Sequence, residues 1–117
     1  MKLLSRSGKV VFVTLSARVG SISDNRLGGW ISYRASKTAL NQIVKTASIE
    51  AFRKNPDSIF MSVHPGTVRS KLTANYLGNH KFVEPEEAAN NILRLIEQKE
   101  AKDTGGFYAY NGEKIPY

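Results

Sequence analysis

The stretch "KVVFVTLSARVGSISDNRLGGWISYRASK", Lys9–Lys37, decides how this chain folds. It opens on "KVVFVTLSA" (Lys9–Ala17), a continuous β-branched and apolar run. That length and composition suit a strand buried on both faces, as in a parallel sheet. "RVGSISDNRLGG" (Arg18–Gly29) follows, rich in Gly, Ser, Asn and Asp, and reads as a loop. "ISYRASK" (Ile31–Lys37) closes the stretch with a tyrosine and a lysine four residues apart. On a helix, Tyr33 and Lys37 share one face, one turn apart. An ammonium held beside a phenol favours the phenolate, which is what proton transfer from a tyrosine near neutral pH requires. As a plain surface contact the pair would stabilise a helix by only roughly a few tenths of a kcal/mol. Its setting is therefore what counts: a helix start after a buried strand and a Gly/Ser loop, at the strand edge where open α/β sheets bind ligands.

Downstream, the pattern stays helical to about Arg53, with Leu40, Ile43, Val44, Ala47 and Ala51 at three- and four-residue steps. "KNPD" (Lys54–Asp57) ends it, because Pro56 cannot continue a helix and disfavours the helical state before itself. "SIFMSV" (Ser58–Val63) reads as a second strand, stopping at "HPG" (His64–Gly66). Residues 67–83 have weak periodicity and read as a loop with room for a short helix. "EPEEAANNILRLIEQKE" (Glu84–Glu100) predicts a helix: Pro85 suits its first position, and Glu86 and Glu87 face the positive end of the helix dipole. Ala88, Ala89, Ile92, Leu93 and Ile96 form its expected apolar face. "GGFYAYNG" (Gly105–Gly112) reads as a strand closed by an Asn-Gly turn. Strand, helix, strand, loop, helix, strand predicts one α/β domain over residues 1–117. The expected fold is a partial Rossmann-like, doubly wound parallel sheet of about three strands with two main helices.

The composition narrows the function classes. The 117 residues carry no cysteine, so a disulfide framework and a thiolate metal site are excluded, and a reducing, cytoplasmic setting is expected. His64 and His80 are the two histidines, and neither has a second ligand at metal spacing; no metal site is expected. The opening residues do not read as a signal peptide, and no apolar run has the length of a membrane span. The net charge of +7 is uneven: residues 1–83 hold 13 Lys/Arg against three acids, and residues 84–117 hold four against seven. The basic residues are scattered and not interleaved with aromatics, which makes nucleic acid the weakest candidate partner; binding of that kind would be steeply salt-dependent. Trp30 precedes the helix, where it could pack or wall a substrate pocket.

The chain resembles the short-chain dehydrogenase/reductase family, whose signature is Tyr-x-x-x-Lys at the start of a long amphipathic helix. "VVFVTLSARVGSI" is similar to the family's strand and loop that carry a catalytic serine, and "YRASKTALN" to its active-site helix. "VHPGTVRSKL" resembles its Pro-Gly segment on the nicotinamide side of the cofactor site, and "GGFYAYNGEKIPY" its closing strand and tail. The Gly-Gly before the tyrosine and the "NGEKIPY" ending look most like the C-factor-like carbonyl reductases. The resemblance implies hydride transfer between NAD or NADP and a small carbonyl or alcohol. It implies Tyr33 as the acid, Lys37 as its tuner and ribose ligand, Ser16 as a catalytic candidate, and Pro65, Gly66, Thr67 and Val68 as nicotinamide-side residues.

Two departures accompany the resemblance. The family's Ser-Ser becomes Ser16-Ala17, and the position matching the carbonyl-polarising serine is the alanine. Loss of one such donor typically lowers a rate on the order of a hundred- to a thousandfold; Ser16 and Ser21 stand nearby as substitutes. Second, no Gly-x-x-x-Gly-x-Gly follows an early strand, so the resemblance is to the C-terminal half of the family fold. On that expectation the first strand lacks a neighbour, and an unpaired apolar edge favours a homo-oligomer or a partner chain. The alternative reading is a non-catalytic module of the same descent that self-associates or completes a partner's sheet.

Overall fold

The computed structural model describes residues 2–76, 78 and 81–117, and the side chain of Tyr76 is left aside. His80 lies outside the described residues. Five main elements follow in chain order: β1 (Val10–Leu15), α1 (Ile31–Lys54), β2 (Ser58–His64), α2 (Pro85–Gln98) and β3 (Gly106–Ala109). The strands form one sheet in the order β1-β2-β3, parallel throughout. Val10 pairs with Ser58 and Leu15 with Val63, while Met61 pairs with Gly106 and His64 with Ala109. The α/β class and the three parallel strands are as the sequence predicts.

Alternation along β2 assigns one helix to each face of the sheet. Ile59, Met61 and Val63 pack with Leu95 and Tyr108, flanked by Val11, Val13, Ile92 and Ile96, so α2 covers that face. Phe60 packs with Val44 and Ala51, flanked by Leu40 and Ala47, so α1 covers the other. β2 is buried along nearly its whole length and β3 along all of it. β1 is an edge strand, with Leu15 56% exposed and Phe12 42% exposed although stacked on Phe60 at 5.1 Å. The expectation that β1 is buried on both faces is corrected to that extent: its apolar composition is that of a central strand, its position that of an edge.

Both helices differ from their expected faces by one choice of stripe. On α1 the fully buried residues are Asn41, Val44, Ser48 and Ala51, and Ile43 is exposed. Two polar residues in the buried stripe hide it from a hydrophobicity pattern. On α2 the buried pair is Ala88 and Leu95, seven residues apart and so on one face, while Ala89 and Leu93 point outward. Pro85 occupies the first turn of α2, and α1 stops at Lys54 ahead of Asn55-Pro56, as their sequences dictate. Residues 67–83 hold a short 3-10 turn, Ala74–Tyr76, and are closed at the base by a parallel bridge between Val68 and Val83.

After β3 the chain turns through Gly112 and runs back antiparallel, with a bridge between Tyr108 and Lys114. Ile115 is buried beside Phe107, its N–H bonded to the Phe107 carbonyl at 2.8 Å. The tail thereby starts at the carboxyl end of β3 and runs toward its amino end, where the Tyr117 hydroxyl donates to the Gly105 carbonyl. No described helix is long and apolar enough to cross a membrane.

Candidate active site

The carboxyl ends of β1 and β2 lead directly into the two segments that the sequence singles out. β1 ends at Leu15, and Ser16 continues its pairing, donating its N–H to the Val63 carbonyl at 2.8 Å. A single 3-10 turn, Arg18–Gly20, carries the chain toward α1. Gly20 lies so close to the helix that a Cβ built on it would stand 2.8 Å from Lys37 Cβ and 2.9 Å from the Lys37 carbonyl carbon. The loop and the helix can meet only over a residue without a side chain.

Tyr33 and Lys37 lie in the first two turns of α1. Lys37 Nζ is 5.8 Å from the centre of the Tyr33 ring and donates a hydrogen bond to the Leu15 carbonyl at 2.9 Å. The ammonium is thus fastened to the end of β1 on one side and lies over the phenol ring on the other. Tyr33 is 41% exposed, and its hydroxyl has no hydrogen-bond partner among the described residues. The structure therefore brings this pair together at the strand edge and leaves the phenol accessible.

Ser16 has a different position. It is 4% exposed, and its hydroxyl donates to Asn41 Oδ1 at 2.7 Å, one helical turn below Lys37. The hydroxyl points into the packing between β1 and α1 and is not presented with Tyr33. Ser21 is also buried; its hydroxyl donates to the Pro116 carbonyl and accepts the Asp24 N–H at 3.1 Å. Both serine protons are engaged within the fold, and position 17 carries a methyl group.

Past β2, Gly66 has φ +83°, a conformation that side chains rarely adopt, and a Cβ there would meet the Tyr110 ring at 3.1 Å. Thr67 and Val68 use their carbonyls within the chain: Thr67 accepts the Val83 N–H at 2.8 Å, and Val68 accepts the Thr73 hydroxyl. The Thr67 side chain is exposed, and the Val68 N–H takes no part in the bridge to Val83. His64 is mostly buried, with Nδ1 unpartnered among the described residues. Its pKa falls to about 4, chiefly because burial disfavours the charged ring and secondarily because Arg18 is near; Glu113 opposes both. Among the described residues no group of His, Asp or Glu could hold a metal ion.

Three residues shape this edge without having been singled out from the sequence. Arg34, between Tyr33 and Lys37 in the chain, donates from Nε to the Gly29 carbonyl at 2.9 Å and from Nη2 to the Gly28 carbonyl at 3.0 Å. Arg18 bridges Asp24 at 3.3 Å and Glu113 at 2.9 Å, tying the loop after β1 to the tail. Asn41 holds Ser16. Their positions within "RVGS" and "YRASKTALN" were on view, but polar residues reveal a partner only once the chain brings it near.

No family model matches the chain. Among curated proteins, the chain is 36% identical over 110 residues to the 1-hydroxy-2-glutathionyl-2-methyl-3-butene dehydrogenase of Rhodococcus sp. (strain AD45), covering 94% of this chain and 47% of that protein. It is 28% identical over 104 residues to the C-signal protein of Myxococcus xanthus, covering 88% and 58%. Among solved structures, the NADPH-bound carbonyl reductase from chicken fatty liver superposes with a TM-score of 0.82 at 27% identity, covering 93% of this chain and 43% of that one. The fold is thus half of a Rossmann-like dehydrogenase sheet, with a Tyr-x-x-x-Lys pair at its carboxyl edge. The chain is similar to short-chain dehydrogenases/reductases, and it spans about half the length of the curated relatives it matches.

Proposed function

We propose that this chain supplies the nicotinamide-side half of an NAD(P)-dependent oxidoreductase site acting on a small carbonyl or alcohol, in the cytoplasm. One observation carries the reading: Lys37 Nζ is held between the Leu15 carbonyl and the ring of an accessible Tyr33, at the strand edge where the fold binds ligands.

The residues present fit the nicotinamide end of such a cofactor. Gly66 keeps the surface beside Tyr110 open where a side chain would close it. Thr67 offers its hydroxyl and Val68 its N–H for an amide, and the Lys37 ammonium has donors left over for ribose hydroxyls. The cofactor supplies a hydride when bound. In the reductive direction, Tyr33 gives its hydroxyl proton to the carbonyl oxygen as the carbon–oxygen π bond opens, so that the product is an alcohol and the phenolate is left beside Lys37. Position 17 offers no hydroxyl to the developing oxyanion, and Ser16 and Ser21 are bonded elsewhere, so Tyr33 and Lys37 carry the polarisation.

Calorimetric titration of the chain with NADPH and NADH tests this. Saturable binding that weakens at least tenfold in Lys37→Ala is expected; no binding at millimolar cofactor to the unaltered chain would overturn it.

A second reading rests on β1. An edge strand with exposed Phe12 and Leu15 is a template for pairing with another chain. On this reading the chain is a module that self-associates or completes a partner's sheet. Sedimentation at tens of micromolar checks it: a dimer or larger species is expected, and a clean monomer speaks against self-association.

A further inference from the structure

We propose that the amino-terminal end of the sheet, opposite the edge that carries Tyr33 and Lys37, holds a second binding site, for a short-chain hydroxy- or oxo-carboxylate. The site shares no residue with the one above.

A cavity of about 80 Å³ lies where β1 and β2 begin and α1 ends. Leu4, Val10 and Phe60 supply apolar wall, and Lys2, Arg6 and Lys54 are the charged residues that line it. No acid lines it, and none of the three cations has an ion pair among the described residues. The chain builds this cavity deliberately. Asn55, which follows α1, donates from Nδ2 to the Gly8 carbonyl at 2.9 Å and to the Ser5 carbonyl at 3.4 Å, so the segment before β1 is pinned across the end of the helix. Leu4 on that segment packs on the core around Phe60. The carbonyl end of a helix disfavours an anion by itself, and Arg53 and Lys54 in the last turn of α1 offset that partial charge. Lys2 and Arg6 are positive charge in excess of what the helix end needs.

Ser58 points independently to a ligand. It is 3% exposed, and its hydroxyl has no hydrogen-bond partner among the described residues. Buried hydroxyls are rarely left in that state. Side chains alternate along a strand, so Ser58 shares with Phe60 the face of β2 that α1 covers, which is the face of the cavity. The cations are exposed and Ser58 is buried, so charge stands at the mouth and the hydroxyl at the floor.

These parts specify the ligand. The mouth takes a carboxylate, the apolar wall takes a short carbon chain, and Ser58, able to donate and to accept, takes a hydroxyl or carbonyl oxygen at the far end. The volume is about half that of a cavity able to hold a benzene ring, which admits about three to five non-hydrogen atoms behind the carboxylate. Inorganic phosphate would satisfy the mouth but has nothing for the wall.

Amide-shift titrations of the ¹⁵N-labelled full chain at low salt compare 3-hydroxybutanoate, butanoate, butane-1,3-diol and inorganic phosphate. The hydroxy acid is expected to bind saturably, to move the amides of Leu4, Asn55 and Ser58, and to bind about two- to tenfold tighter than butanoate, which lacks the second oxygen. The uncharged diol should bind more weakly than either acid, and added salt should weaken both acids. Ser58→Ala erases the difference between the two acids while leaving the urea midpoint unchanged or higher, because it removes an unpaired buried hydroxyl. Arg6→Gln and Lys54→Gln together weaken both acids alike. No saturable binding, shifts centred on Tyr33 and Lys37, or equal affinities for the two acids would overturn the assignment. So would a difference that survives Ser58→Ala, affinities indifferent to the charge at the mouth, or phosphate binding as tightly as the hydroxy acid.

Discussion

Ser16 Oγ donates to Asn41 Oδ1 at 2.7 Å in an almost fully buried contact, joining the residue after β1 to the middle of α1. This bond orients the strand end against the helix that carries Tyr33 and Lys37. It also removes the Ser16 proton from the open side of the site. A serine next to the position of the family's catalytic serine thus acts here as a fastening between two elements.

Ser16→Ala should therefore lower stability by about 1–2 kcal/mol, because Asn41 Oδ1 is left buried without a partner. Cofactor affinity should stay within about twofold, since the alanine reaches neither Tyr33 nor Lys37. Urea unfolding and calorimetry on the same variant check both halves. A large loss of NADPH binding with unchanged stability would restore Ser16 to the site.

Gly20 has the loop pressed on Lys37. Gly20→Ala places a methyl group 2.8 Å from Lys37 Cβ and against helix backbone that cannot turn aside. Overpacking of this kind is expected to lower stability by about 1–3 kcal/mol and to weaken cofactor binding, because Lys37 must shift. An unchanged urea midpoint would show that loop and helix separate freely.

Tyr33→Phe keeps the ring that meets Trp30 and Lys37 and removes only the hydroxyl, which has no partner among the described residues. Stability should change by less than about 0.5 kcal/mol, as for other exposed positions. Cofactor affinity should fall no more than a few-fold, and carbonyl reduction, followed by NADPH absorbance under saturating conditions, should drop by at least about a hundredfold. Reduction at an unaltered rate would remove Tyr33 from the chemistry.

His64 makes the fold sensitive to acid. Its pKa is about 4 in the folded chain against 6.5 ordinarily, through burial first and Arg18 second. Between those values the unfolded chain binds a proton that the folded chain refuses, so stability falls as pH drops from about 6.5 toward 4 and is unaffected by this group above 7. The loss attributable to His64 should be on the order of 2 kcal/mol at pH 4.5. His64→Gln should flatten that part of the curve, measured as urea midpoints at pH 7 and 4.5. Parallel curves for the two chains would show that His64 is as easily protonated folded as unfolded.

Arg34 and Trp30 show where the sequence stops being informative. "GGWISYRASK" displays the two glycines, the aromatic and the arginine in a line, yet nothing in their order says that the guanidinium turns back on the Gly28 and Gly29 carbonyls. The strand and helix ends read well because they depend on local chemistry: β-branched runs at Val10–Leu15 and Ser58–His64, a proline after α1 and another at the start of α2. The helix faces read less well. Asn41 and Ser48 are buried by what they pack against and bond to, while Ile43 is exposed despite its hydrophobicity.

The sequence by itself determined the class of fold, the position of Tyr33 and Lys37 on one helical face, and the kinship those residues announce. Each depends on spacing or on short-range propensity, which the chain carries wherever it goes. Only the tertiary structure decided that Lys37 is anchored to Leu15, that Ser16 faces Asn41, and that the Trp30 and Tyr33 rings meet at 71°. These depend on groups distant in the chain or on backbone held in a conformation it does not prefer. Hydrogen bonds and packing select such arrangements only after the strands and helices have met.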